Sequence, residues 1–143
     1  MSFRHVRYLS RRLAGVALTL LRMSGKRILF IDDELLICEM MCGMLADLDY
    51  EVVAEESGQD GIRTFLRDPD AFDLVLTDLM MLGMTGDSVS ERIRSDRADI
   101  PIVLMTGTPG TLAQKTAATK GICKVLCKPL TKAEFRKALQ GIL

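Results

Sequence analysis

The sequence has no tryptophan, one histidine, four prolines and seven aromatic residues, two Tyr and five Phe. Its core must therefore be aliphatic, with nine Met to fill the gaps that rings would otherwise occupy. The one histidine, His5, lies outside the patterned part of the chain and is assigned no role. No apolar run approaches the roughly 20 residues that cross a bilayer; the longest near the N-terminus, Leu13 to Leu21, has nine. No G-x-G-x-x-G or G-x-x-x-x-G-K-[ST] follows the first predicted strand, which argues against a nucleotide-binding loop there. Net charge is also lacking, but the zero hides a division. Residues 1–25 hold five Arg and no acid, so residues 26–143 hold 14 basic and 19 acidic residues, a net of −5. An acidic domain is a poor direct nucleic-acid binder.

What is present is ordinary for a globular domain. Hydrophobic residues make up 48% of the 143 and charged residues 27%. A chain of this length forms one domain and buries roughly two-thirds of its unfolded surface. Residues 1–25 read as a basic and apolar extension outside the core. They have the outline of a secretory signal without a small-x-small cleavage site, or of a basic amphipathic helix. A third reading starts the natural chain at Met23. Cys38, Cys42, Cys123 and Cys127 form two pairs spaced four apart. Zinc knuckles favour C-x2-C near turns, so these read as reduced, buried, small apolar side chains, and a cytoplasmic location fits them.

From Lys26 onward the pattern is regular. Continuous apolar runs at 27–32, 72–78 and 100–107 read as strands covered on both faces. Runs at 50–55 and 122–129 carry charge and read as edge strands. Helical periodicity covers 35–48, where Ile37, Met41, Met44 and Leu48 form the expected buried stripe. Further helices are expected after Ser57, over 86–97, over 109–119, and after Thr131. Strand then helix, five times, predicts a doubly wound α/β domain: a five-stranded parallel sheet with helices on both faces.

Ligands of such sheets bind beyond the carboxyl ends of the strands. There the chain offers Asp32, Asp33 and Glu34 after strand 1, and Asp78 at the end of strand 3. Thr106 and Gly107 end strand 4, and Lys128 and Pro129 end strand 5. An aspartate after a strand is by itself more often a turn residue. The specificity lies in finding all these groups at four strand ends. Carboxylates gathered at one rim repel unless a cation sits among them. Oxygen donors suit Mg²⁺, and a hydroxyl with an ammonium suits phosphate oxygens. The set predicts a carboxylate nucleophile poised for an incoming phosphoryl group.

These motifs, "DDE" at 32–34, "D-x-x-M-x-x-M-x-G" at 78–86, "TG" at 106–107 and "KP" at 128–129, resemble the response-regulator receiver domains of two-component signalling. The resemblance covers residues 26–143. It implies the flavodoxin-like strand order 2-1-3-4-5, and a phosphoacceptor regulator rather than an enzyme in the ordinary sense. It implies that Asp78 takes a phosphoryl group from a histidine kinase or histidine phosphotransfer protein. Asp33 would bind Mg²⁺ directly, Asp32 through water, and Met80 through its backbone carbonyl beside the phosphoryl group. Thr106 and Lys128 would contact phosphoryl oxygens, and Gly107 would leave room for them and donate its N–H. The Lys128–Pro129 bond would be cis.

Two departures stand out. Leu82 replaces the family's usual proline, which is expected to loosen the loop after Asp78. Val125 replaces the usual aromatic switch residue, which mutes that half of the family's coupling. Met80 and Thr108 occupy the positions that influence hydrolysis of the acyl phosphate; Met80 cannot orient a water, so a long-lived phosphoryl group is expected. With no output domain in the sequence, the signal would leave through a partner surface. "MTGD" with "PLTK" resembles receivers of hybrid kinases and leans toward a relay. The fourth and fifth helices with strand 5 would be the homodimer face. The competing readings are a degenerate receiver that binds partners without phosphorylation, and a haloacid-dehalogenase-like phosphatase. The latter needs D-x-D after strand 1, where this chain has adjacent Asp32 and Asp33.

Overall fold

The structure is a computed structural model that describes residues 25–108, 110 and 121–143. The expected extension (residues 1–24 of it) and nearly all of the helix expected over 109–119 lie outside the described residues. Five parallel strands are present: β1 Arg27–Ile31, β2 Glu51–Glu55, β3 Leu74–Asp78, β4 Ile102–Thr106 and β5 Lys124–Cys127. They lie in the order β2-β1-β3-β4-β5, as expected. Four helices are described: α1 Leu35–Asp47, α2 Gly58–Arg67, α3 Gly86–Asp96 and α4 Lys132–Gln140.

The three apolar runs became the central strands. Every residue of β1, β3 and β4 is buried, whereas β2 is half-buried and β5 exposes two of its four residues, Lys124 and Cys127, as befits edges. Side chains alternate across a strand, so each central strand feeds two cores. Ile28, Phe30, Leu74, Leu76, Val103 and Met105 join α1 and α4 on one face. Leu29, Ile31, Val75, Ile102 and Leu104 join α2 and α3 on the other. Burying one such aliphatic side chain contributes about 1.5–3 kcal/mol. The two-sided sheet is therefore the main source of stability. Local signals mark the helix starts. Ser57 accepts the Asp60 N–H at 3.1 Å, and Thr131 with Glu134 forms a capping box.

Two expectations are corrected. The buried face of α1 is centred on Cys38, Met41, Cys42 and Leu45, with Ile37, Met44 and Leu48 only partly buried beside it. This helix is apolar nearly all round, so periodicity alone does not choose its inner face. The Cys38 thiol donates to the Asp32 carbonyl, just past the end of β1, at 3.2 Å. Leu35, Leu36 and Met40 are left exposed. The cysteines also divide: Cys38 and Cys42 are buried, but Cys123 and Cys127 are exposed. The latter two lie just before and on β5, an edge strand with a neighbour on one side only.

Candidate functional site

Strand register assembles the site. Ile31 pairs with Thr77, Asp78 with Met105, and Thr106 with Cys127. Asp32, one step on from Ile31, therefore stands level with Asp78, and Lys128, one step on from Cys127, lies one residue beyond Thr106 at the same carboxyl edge. The site lies where the strand order reverses direction between β1 and β3, the switch point of a doubly wound sheet.

Asp32 is fully buried. Its Oδ1 accepts the Glu34 N–H at 2.9 Å, and its Oδ2 accepts from Lys128 Nζ at 3.0 Å. Lys128 Nζ also lies 3.3 Å from Asp78 Oδ1. Asp33 is half-buried, and its Oδ2 accepts the Leu82 N–H at 2.9 Å. One carboxylate oxygen from each of Asp32, Asp33 and Asp78 lies within 4.8 Å of the others. Thr106 is buried and reaches the same edge, but its hydroxyl is engaged in its own loop. Its Oγ1 accepts the Thr108 N–H at 3.1 Å and donates to the Thr108 carbonyl at 3.2 Å. A Cβ placed on Gly107 would meet nothing within 4 Å, so there is open space beside Thr106. Lys128–Pro129 is cis, as expected. The Met80 side chain points outward and is 70% exposed.

The loop after Asp78 is pinned at both ends. The Leu79 N–H donates to the Met105 carbonyl at 2.8 Å, and the Gly86 N–H donates to the Leu79 carbonyl at 2.8 Å. Between them Leu79, Met81 and Met84 pack inward, Gly83 takes φ 78°, and Met80 and Leu82 face out. The N–H that a proline would lack is thus in use, which offsets the loosening expected from Leu82. Sequence reading missed this bond and the Cys38 contact. Its only trace in the sequence is that residue 82 is not proline.

The electrostatics are unbalanced toward negative charge. Burial pushes the Asp78 carboxyl above its ordinary pKa; the Lys128 ammonium opposes this and the Asp32 charge adds to it. For Lys128, burial acts to lower the pKa, but the hydrogen bond to Asp32 and the charges of Asp32 and Asp78 outweigh it, so the ammonium is held more firmly. The two shifts agree: one cation is shared by two carboxylates and sits closer to Asp32 than to Asp78. Three carboxylates against one ammonium leave two negative charges. An all-oxygen set with that surplus fits a hard divalent cation. Cys38, beneath the acidic turn, offers no thiolate, because burial and then the Asp32 charge push its pKa up to about 12.

The fold and the site together define a flavodoxin-like α/β domain with an acidic pocket, a shared lysine and a buried hydroxyl at the switch point. The family model for the response regulator receiver domain matches residues 28–140. The chain belongs to that family, the receiver domains of two-component signalling, which are regulatory phosphoacceptors rather than enzymes in the ordinary sense. It is 33% identical over 121 residues, 84% of the chain and 31% of the relative, to the two-component response regulator ARR14 of Arabidopsis thaliana. Across eight of the curated relatives it matches, it spans between 26% and 50% of their length. Among solved structures, the chemotaxis protein CheY4 of Vibrio cholerae aligns with a TM-score of 0.78 at 25% identity, over 84% of this chain and 100% of that one. The receiver domain of the sensor histidine kinase PA1611 of Pseudomonas aeruginosa aligns with a TM-score of 0.74 at 25% identity, over 83% and 98%. That structure has a magnesium ion coordinated in its active-site cleft.

Proposed function

We propose that Asp78 accepts a phosphoryl group from a phosphohistidine of a partner kinase or histidine phosphotransfer protein. The observation that carries this reading is the convergence of Asp32, Asp33 and Asp78, with the Lys128 ammonium shared between Asp32 and Asp78. An Asp78 carboxylate oxygen attacks phosphorus as the phosphorus–nitrogen bond to the imidazole breaks, and the imidazole nitrogen keeps the electron pair. Asp33, Asp32, Asp78 and the Met80 carbonyl would hold Mg²⁺, which neutralises and orients the phosphoryl oxygens when bound. Lys128 pairs with one phosphoryl oxygen. The Thr106 hydroxyl leaves Thr108 to bond another, and the open space at Gly107 admits the group. Val125 is a half-buried aliphatic packed on the second core, so no ring follows the movement of Thr106.

The rim supports a protein donor. Leu35, Leu36, Met40, Met80 and Leu82 are exposed, and the Leu82–Asp33 hydrogen bond ties the loop that bears Met80 and Leu82 to the turn leading into α1, which bears the other three. A donor imidazole must come into contact with Asp78, so its carrier has to cover this apolar collar. We place this exchange in the cytoplasm, where the four unbridged thiols stay reduced. Among the described residues, no helix is long and apolar enough to cross a membrane.

Two measurements test the chemistry. Mg²⁺ at ten times its dissociation constant stabilises the fold by about 1.4 kcal/mol, which raises the melting temperature by roughly 5 °C. Asp33→Ala removes this shift; an equal shift in that variant would exclude Asp33 as a ligand. The exposed Met80 thioether cannot orient an attacking water, so Met80→Glu shortens the lifetime of the phosphorylated domain by up to roughly 10²-fold. The decay is followed by intact mass after donor removal, and equal lifetimes would assign the control of hydrolysis elsewhere.

A further inference from the structure

The Leu82 main-chain N–H donates to Asp33 Oδ2 at 2.9 Å across 49 residues of sequence. The Leu82 side chain is 88% exposed and contributes nothing to the core. The bond therefore depends on residue 82 having an N–H, not on leucine as such. A carboxylate that binds a metal through one oxygen is oriented by a hydrogen bond to the other, and such outer partners are worth 10–100-fold in metal affinity. With this bond in place, an oxygen of Asp33 stays within 4.8 Å of oxygens of Asp32 and Asp78 despite their mutual repulsion.

We propose that the Leu82 amide is a positioning group for the metal site, and that it couples cation binding at Asp33 to the loop of residues 79–85. The loop that leads away from Asp78 thereby shares a hydrogen bond with the turn after β1. A cation that draws on Asp33 is felt by Leu82, and a partner that moves the exposed Met80 and Leu82 changes the grip on the cation. The proposal rests on the reading that Asp32, Asp33 and Asp78 bind Mg²⁺.

The test uses nuclear magnetic resonance of the ¹⁵N-labelled full chain. In chelator, the Leu82 amide of the unchanged protein is expected to exchange at least about tenfold more slowly than an open-chain amide, and Asp33→Ala to abolish that protection. On titration with MgCl₂, the Leu82→Pro variant, which has no N–H, is expected to bind about tenfold more weakly than Leu82→Ala, which keeps it. If the proline disturbs the loop enough to melt the domain early, amide exchange in the unchanged and Asp33→Ala proteins carries the test alone. Open-chain exchange at Leu82, or equal Mg²⁺ affinity in folded proline and alanine variants, overturns the proposal while leaving the metal reading intact. No Mg²⁺ response in the unchanged chain overturns the metal reading and this proposal with it.

Discussion

Asp78→Asn, treated with acetyl phosphate and Mg²⁺, is expected to keep its original mass, while the unchanged protein gains one phosphoryl group. Asparagine has the size of aspartate but no nucleophilic oxygen, so the loss should be complete. Lys128→Ala keeps the nucleophile and loses the ammonium 3.3 Å from it. Its labelling rate should fall by roughly 10²–10³, the range for one electrostatic stabiliser. Stability moves the other way for the asparagine variant. A carboxyl whose folded pKa lies above its unfolded one contributes stability at low pH and loses it as the pH rises through the folded value. Asp78 is raised by burial, with Asp32 adding to the effect, so at neutral pH its charge opposes folding. Asp78→Asn should therefore melt no lower than the unchanged protein in chelator, with the largest advantage above the folded pKa. Labelling of the asparagine variant would place the acceptor elsewhere. Loss of labelling together with a collapse in melting temperature would signal misfolding instead of lost chemistry.

Gly86→Ala is expected to be the most damaging single-methyl change near the site. A Cβ there would lie 2.2 Å from the Asp78 carbonyl oxygen and 3.0 Å from Leu79 Cα. Both are backbone atoms, and the Gly86 N–H is itself bonded to the Leu79 carbonyl, so neither side can yield without dragging the end of β3. Overpacking against fixed backbone costs about 3 kcal/mol, or on the order of 10 °C for a domain this size. Because the clash falls on Asp78 itself, labelling by acetyl phosphate should drop with the melting temperature. Gly107→Ala provides the contrast. With nothing within 4 Å of the new methyl, it should melt at the same temperature or slightly higher. Equal melting of the two variants would mean that the loop after Asp78 is far softer than its hydrogen bonds imply.

The elements and their order were legible because the two periodicities are clean where it matters. β1, β3 and β4 fall in short, nearly continuous apolar runs bounded by polar or turn residues, the pattern of strands covered on both faces. Polar groups that interrupt the pattern at the end of each run, Asp32, Asp78, Thr106 and Lys128, stood out for the same reason. Legibility failed where a segment had no unique pattern. Helix α1 is apolar on too many sides to reveal that Cys38 and Cys42, not Ile37 and Met44, lie deepest. Cys123 and Cys127 look like core residues by type, yet they lie beside or on a strand with one free side.

By itself the sequence determined the strand–helix alternation, the central and edge strands, and which acidic, hydroxyl and ammonium groups stand at the strand ends. These are local properties, set by side-chain type and spacing along a few residues. Only the tertiary structure decided that Lys128 leans toward Asp32 more than Asp78, that Thr106 bonds its own loop, and that the Leu82 amide holds Asp33. These outcomes depend on distances between strand ends and on main-chain donors, which every residue but proline carries alike. Such donors acquire a partner only when the packed sheet brings two remote turns within hydrogen-bond reach.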